Sequence, residues 1–158
     1  MYLSLNVLYH DEEMGYQGNE VGEPVLIQGT GQYTVTFDCD RNLSAEAKKA
    51  GISSLKHLTA VYIKDYSVTL GELSESLPSV CELRFDRVEV GGQELTLTNH
   101  EVRSVVKSSG IVDTNGPLNA WGQTEIEEIE NVEHVLDFTD VEEPQVISIT
   151  FTITKLSY

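Results

Sequence analysis

Trp121 is the only tryptophan of the chain, and it stands in Asn119-Ala120-Trp121-Gly122, a polar, glycine-containing segment outside any apolar run. A flat indole in such a segment is suited to stacking on a neutral ligand with an apolar face, such as a sugar ring. The competing place for it is against the core with its N–H satisfied. A second set of aromatics shares one strand face. In Ala60-Val61-Tyr62-Ile63-Lys64-Asp65-Tyr66 successive side chains alternate, so Tyr62, Lys64 and Tyr66 point away from Val61 and Ile63. Residues two apart on a strand are roughly 6.6 Å apart. With Val61 and Ile63 on the core side, two tyrosines and a lysine form a surface strip that stacks on and hydrogen-bonds a glycan. With Leu58, Ala60 and Tyr62 inward instead, only Tyr66 shows. Tyr9 and Tyr16, in or beside the first polar stretch, are weaker candidates, and Asn119, Gln123 and Lys64 are the groups for directional hydrogen bonds.

Catalytic chemistry has less behind it. The run Glu125, Glu127, Glu128, Glu130 contains the carboxylates a glycosidase needs, but facing pairs do not follow from spacing along a chain, and a run of this density reads first as solvated surface. His10, His57, His100 and His134 are scattered without the i,i+4 spacing of a metal site, and no Gly-x-Ser-x-Gly nucleophile turn occurs. Asp11, Glu12 and Glu13, and again Asp137, Asp140, Glu142 and Glu143, group oxygen ligands of the kind calcium takes. They lack a calcium-loop signature, so no cofactor is expected and a structural calcium ion is left open. Cys39 and Cys81 have neither zinc-site spacing nor enough partners for a disulfide framework. Buried free thiols are expected ahead of one disulfide.

The elements that must position these groups read as strands nearly throughout. Leu3 to Tyr9 alternates with period two, His10 to Pro24 is polar and glycine-bearing and reads as a surface loop, and Val25 to Gln28 is a short strand. Gln32 to Asp38 is dense in β-branched and aromatic residues, with Tyr33, Val35 and Phe37 on the buried face. Ser44 to Ala50, with a serine N-cap and Gly51 as its stop, is the main helical candidate. Leu58 to Leu70 returns to strand. Val80 to Val90 follows with Cys81, Leu83, Phe85 and Val88 inward, and Gly91-Gly92 turns the chain into a return strand from Gln93 to Leu97. Ser108 to Gly122 reads mostly as loop. Val146 to Thr154 places Ile147, Ile149, Phe151 and Ile153 on one face and hydroxyl side chains on the other, as in a sheet with one dry face. This pattern predicts one all-β domain, an antiparallel, jelly-roll-like or immunoglobulin-like β-sandwich with at most one or two short helices.

Composition narrows the partners. The 158 residues carry 26 acidic and 10 basic side chains, a formal charge of −16, which repels phosphate backbones and anionic headgroups over a Debye length of about 8 Å. Nucleic acid and membrane surfaces are therefore not expected as partners, whereas a neutral ligand feels little of this field. No stretch reaches the length of a membrane span, and the N-terminus lacks a signal peptide's basic segment and apolar run. A secreted form is expected to be a mature or excised fragment, and a monomer.

Several short segments together resemble a family. Gly29-Thr30-Gly31-Gln32-Tyr33-Thr34-Val35-Thr36-Phe37 is similar to the GxGxYTV strand entry of jelly-roll carbohydrate-binding modules from fibre-degrading gut and rumen bacteria. Val88 to Leu95 is similar to their VxVDGxxL hairpin, with Gly91 where an Asp is more usual. Asn119-Ala120-Trp121-Gly122 resembles their NxWG segment, and Ile149 to Leu156 their closing strand. The segments keep the family's order from Val25 to Leu156. The first loop departs from it: relatives carry tryptophans there, and this chain has Met14, Tyr16 and Gln17. The resemblance implies a non-catalytic module attached to a glycoside hydrolase or to cellulosomal modules. Its partner would be a plant cell-wall β-glucan or related hemicellulose. A protein-interaction or structural spacer domain of such an assembly is the alternative, and a glycoside hydrolase a minority one.

Overall fold

In a computed structural model of the protein, residues 1–66, 78–97, 101–102 and 141–158 are described. They form nine strands and two short helices: β1 (Tyr2–Asp11), β2 (Tyr16–Val21), β3 (Val25–Leu26), β4 (Gly31–Asp38), α1 (Cys39–Asn42), α2 (Ala45–Lys49), β5 (Leu58–Asp65), β6 (Val80–Val90), β7 (Gln93–Leu95), β8 (Glu101–Val102) and β9 (Val146–Ser157). All pairings are antiparallel and fall into two sheets. In the first, β1 has β2 and β3 along one edge and β5 along the other; in the second the order is β4-β9-β6-β7, with β8 also on β6. The chain crosses between sheets from β3 to β4, β4 to β5 and β5 to β6, so the architecture is the expected all-β, antiparallel sandwich.

The core follows from period-two alternation. Val35 and Phe37 of β4, Cys81, Leu83 and Phe85 of β6, and Ile147, Ile149, Phe151 and Ile153 of β9 meet Leu3, Leu5 and Val7 of β1 and Val61 and Ile63 of β5. Each fully buried side chain of this size contributes about 1.5–3 kcal/mol relative to exposure. Along β6 the inward positions change parity between Phe85 and Val88. A bulge accounts for this, because Phe85 pairs with Phe151 and Arg87 with Thr150, leaving Asp86 as the extra residue.

The stretch from His10 to Pro24 is a correction to the expected loop. Most of it is the second half of a hairpin, β1 turning through Glu12–Gly15 into β2, with Asp11 opposite Tyr16 and Asn6 opposite Val21. The Asp11 carboxylate accepts from the Met14 N–H at 3.0 Å and closes the turn. At the other expected hairpin, Gly91 and Gly92 adopt φ of 58° and 80°, the left-handed values a two-residue turn requires. The helix expected from Ser44 is α2. Ser44 Oγ accepts from the Ala47 N–H at 3.1 Å, an N-cap.

Alternation puts Ser4 and Asn6 opposite Leu3, Leu5 and Val7, yet Ser4 and Asn6 are buried too. Ser4 Oγ donates to Asn6 Oδ1 at 3.1 Å, which satisfies part of the cost of burying them. Between Leu3 and Val7 the first sheet is thus buried on both faces of β1.

Candidate functional site

The strand strip has the parity of the first arrangement read from the sequence and the buried Tyr62 of the second. Val61 and Ile63 face the core, Tyr62 and Lys64 lie on the other side, and Tyr66 follows the end of the strand. Tyr62 pairs with Asn6 and Lys64 with Ser4 across β1, and because that face is withdrawn from solvent, Tyr62 is only 7% exposed. Lys64 and Tyr66 remain half-buried. Tyr16 is half-buried on β2, its ring centroid 6.1 Å from that of Tyr9. Tyr9 itself is buried, and its hydroxyl donates to Glu20 at 3.3 Å. Trp121, Asn119 and Gln123 lie outside the described residues.

Topology brings other tyrosines to the end of the sandwich where Tyr66 lies. β1 begins, and β5 and β9 finish, at one end of the sandwich, where Gly31 of β4 pairs with Ile153 and Val80 of β6 with Ser157. The Tyr66 N–H donates to the Tyr2 carbonyl at 2.7 Å. Tyr33 enters the same end from β4, with its ring 6.1 Å from Phe151 and its hydroxyl donating to the Gly29 carbonyl at 2.9 Å. Tyr158 follows β9 and is 65% exposed, and Leu26 of β3 is 45% exposed. The Tyr158 phenol is raised above its ordinary value, by partial desolvation first and then by Cys81, Asp65 and Tyr33 as neighbours. Four tyrosines and a leucine therefore mark this end. Tyr2, Tyr33 and Tyr158 are not singled out by the sequence, because nothing local says that three strand termini converge.

The outer face of the second sheet is polar and internally satisfied. Thr34 and Thr150 hydroxyls lie 2.9 Å apart, as do those of Thr36 and Ser148, and each pair sits directly across β4 and β9. Asp86, carried outward by the bulge, accepts from Thr152, from Gln32 at 3.1 Å and from Arg84 at 2.9 and 3.0 Å. Burial alone would raise its carboxyl, but the hydrogen bonds from Thr152, Gln32 and Arg84, with the Arg84 charge, leave it below the ordinary value. Arg87 pairs with Glu89 at 2.8 Å and Glu94 at 3.1 Å. Donors and acceptors already matched to one another offer little to a ligand.

The remaining chemistry-bearing groups are placed as follows. The two acidic stretches considered for calcium converge on a lysine: Lys56 Nζ is 2.9 Å from Glu13 and 3.6 Å from Glu143. The Glu13 hydrogen bond raises its ammonium pKa above the ordinary value. An ammonium thus stands between these carboxylates, and among the described residues no three His, Cys, Asp or Glu side chains gather as metal ligands. The His10 N–H donates to the His57 carbonyl at 3.2 Å. Cys39 and Cys81 are buried free thiols, as expected, and burial pushes both up to about 11. Among the described residues no helix is long and apolar enough to cross a membrane. Comparison of the chain with protein-family models, with curated proteins and with solved structures finds no match.

Proposed function

We propose that the chain is a non-catalytic carbohydrate-binding module, akin to the jelly-roll modules its motifs resemble. It holds a neutral plant cell-wall polysaccharide, a β-glucan or related hemicellulose, for an attached enzyme in a secreted, cellulosomal assembly. The observation that carries this reading is the tyrosine end, where Tyr66 stands with Tyr2, Tyr33 and Tyr158. Phenol rings pack on the C–H faces of sugars and offer a hydroxyl at the rim. A charge of −16 leaves an uncharged glycan free to approach.

Affinity electrophoresis and calorimetry against xyloglucan, mixed-linkage β-glucan, mannan and xylan test it. Binding to at least one is expected, weakened about tenfold or more by Tyr66→Ala with Tyr158→Ala. Quenching of the single tryptophan, with and without the polysaccharide that binds, reports whether Trp121 takes part. A second reading, a protein-interaction or spacer domain, is favoured by the exposure of Leu26 and Tyr158 at the same end. A blank polysaccharide panel together with a stable complex with a neighbouring module would select it.

A further inference from the structure

At the opposite end of the sandwich an open crevice of about 550 Å³ lies between the β6–β7 hairpin and the segment entering β9. Its volume falls within the 300–1,000 Å³ of ordinary small-molecule sites, taken as an order-of-magnitude guide. Val90, Leu95 and Val141, all half-buried, supply an apolar floor, and Gln93, Gln145 and Glu142 supply a polar rim. The contrast with the outer face of the second sheet is chemical. There each hydroxyl and carboxylate is committed to a neighbour, whereas among the described residues the Gln93 and Gln145 amides and the Glu142 carboxylate make no side-chain hydrogen bond or ion pair.

The walls are preformed. The Gly91 N–H donates to the Val146 carbonyl at 2.9 Å and ties the hairpin to the facing segment. That segment is fixed from behind, because the Leu55 N–H donates to the Pro144 carbonyl at 3.0 Å and the Cys39 N–H to the Gln145 carbonyl at 2.9 Å. Glu143 sits at φ 40°, a left-handed conformation that a residue with a side chain keeps only where its surroundings over-determine it. Here Lys56 holds its carboxylate and Pro144 follows it in a buried position. Preformed walls spare a ligand the cost of ordering them.

The rim chooses the ligand. Each glutamine amide presents a donor and an acceptor, and Glu142 an acceptor. An anion would meet Glu142, and an ammonium, which only donates, would leave the amide N–H groups unmatched. A hydroxyl both donates and accepts, and a sugar ring adds a C–H face for the apolar floor. We propose that this crevice is a second glycan-contact site, binding a short neutral segment of the polysaccharide through Gln93, Gln145 and Glu142; it rests on the carbohydrate-binding reading above.

The test uses the full chain labelled with nitrogen-15 and oligosaccharides of xyloglucan, mixed-linkage β-glucan, mannan and xylan as probes. Saturable shifts of the Gln93 and Gln145 side-chain amide signals are expected. The double variant Gln93→Ala, Gln145→Ala is expected to lose about tenfold in affinity, with its backbone spectrum showing the fold retained, since both side chains are exposed. Saturable binding that leaves these signals and the double variant's affinity unchanged would overturn the crevice and leave the carbohydrate reading standing. No binding by any probe would overturn both.

Discussion

Glu20 of β2 grips Ser44 at two points: the Ser44 N–H donates to Glu20 Oε2 at 3.0 Å and the Ser44 hydroxyl to Oε1 at 3.0 Å. The same hydroxyl caps α2, and Tyr9 donates to the same carboxylate. A buried acid therefore joins the first hairpin to the helical corner. Glu20→Ala is expected to cost about 2–3 kcal/mol, because it leaves the Tyr9 hydroxyl and the Ser44 N–H without an acceptor in a buried site. Ser44→Ala, which loses the cap, is expected to cost about 1–2 kcal/mol. Urea midpoints of the two variants and of the double variant measure this. Additive effects would show that the clamp is not coupled.

Gly22, just beyond β2, lies hard against β4 of the other sheet. A Cβ there would overlap the carbonyl oxygen of Thr36 in β4, a backbone atom with no freedom to swing aside, while the Gly22 N–H donates to the Leu5 carbonyl at 2.7 Å. Gly22→Ala is expected to destabilise the fold by about 2–3 kcal/mol, as overpacking against backbone does. An unchanged melting temperature would contradict it. Gly29→Ala, where nothing lies within reach of the added methyl, serves as the tolerant comparison.

The two thiols predict behaviour in base. Cys39 and Cys81 are each raised from 9.0 to about 11, burial being the main cause. A group that keeps its proton more tightly when folded stabilises the fold below its unfolded value, and that contribution is lost as pH rises through the folded value. Stability is thus expected to fall between pH 9 and about 11, with a shallower slope in Cys39→Ala and Cys81→Ala. A thiol reagent at about pH 8 should label the native protein only as fast as it opens. Prompt labelling of either cysteine without denaturant would count against this.

Asp86 predicts the acid limb. Its carboxyl lies below the ordinary 3.8, so its contribution is complete above that value and disappears as pH falls through the lower folded one. Melting temperatures of the native protein and of Asp86→Asn, followed from about pH 6 to about pH 2.5, should differ most at the upper end and converge at the lower. A constant gap would mean that the network on the outer sheet face does not titrate with Asp86.

How much of this was legible in the sequence depends on how many faces an element buries. β4 and β9 bury one each, so the parity of Phe37 and Ile149 is written in the alternation, and the Gly91-Gly92 turn is written in two residues. β2 reads as loop in the sequence because Gly18 and Gly22 resemble breakers. They mark tight packing instead, Gly18 against the Tyr9 ring and Gly22 against Thr36. Alternation leaves two places open for Tyr62, and the structure combines them, its side chain opposite Val61 and Ile63 and yet buried, because burial of β1's second face comes from packing that alternation does not encode. Of the candidate site, Tyr66 is readable as a partly open tyrosine, whereas Tyr2, Tyr33 and Tyr158 reach the same end through topology, and Gln93 and Gln145 line one crevice only because the β6–β7 hairpin stands beside the segment entering β9.

β9 runs from the crevice wall at Val146 to Ser157, beside the tyrosine end, and Met1 lies at that end as well. Twelve residues of strand span roughly 40 Å. Residues 1 and 158 therefore share one end of the sandwich, and the crevice stands a full strand length away from both, so a probe attached near Met1 or Tyr158 reports on the tyrosines without touching the crevice.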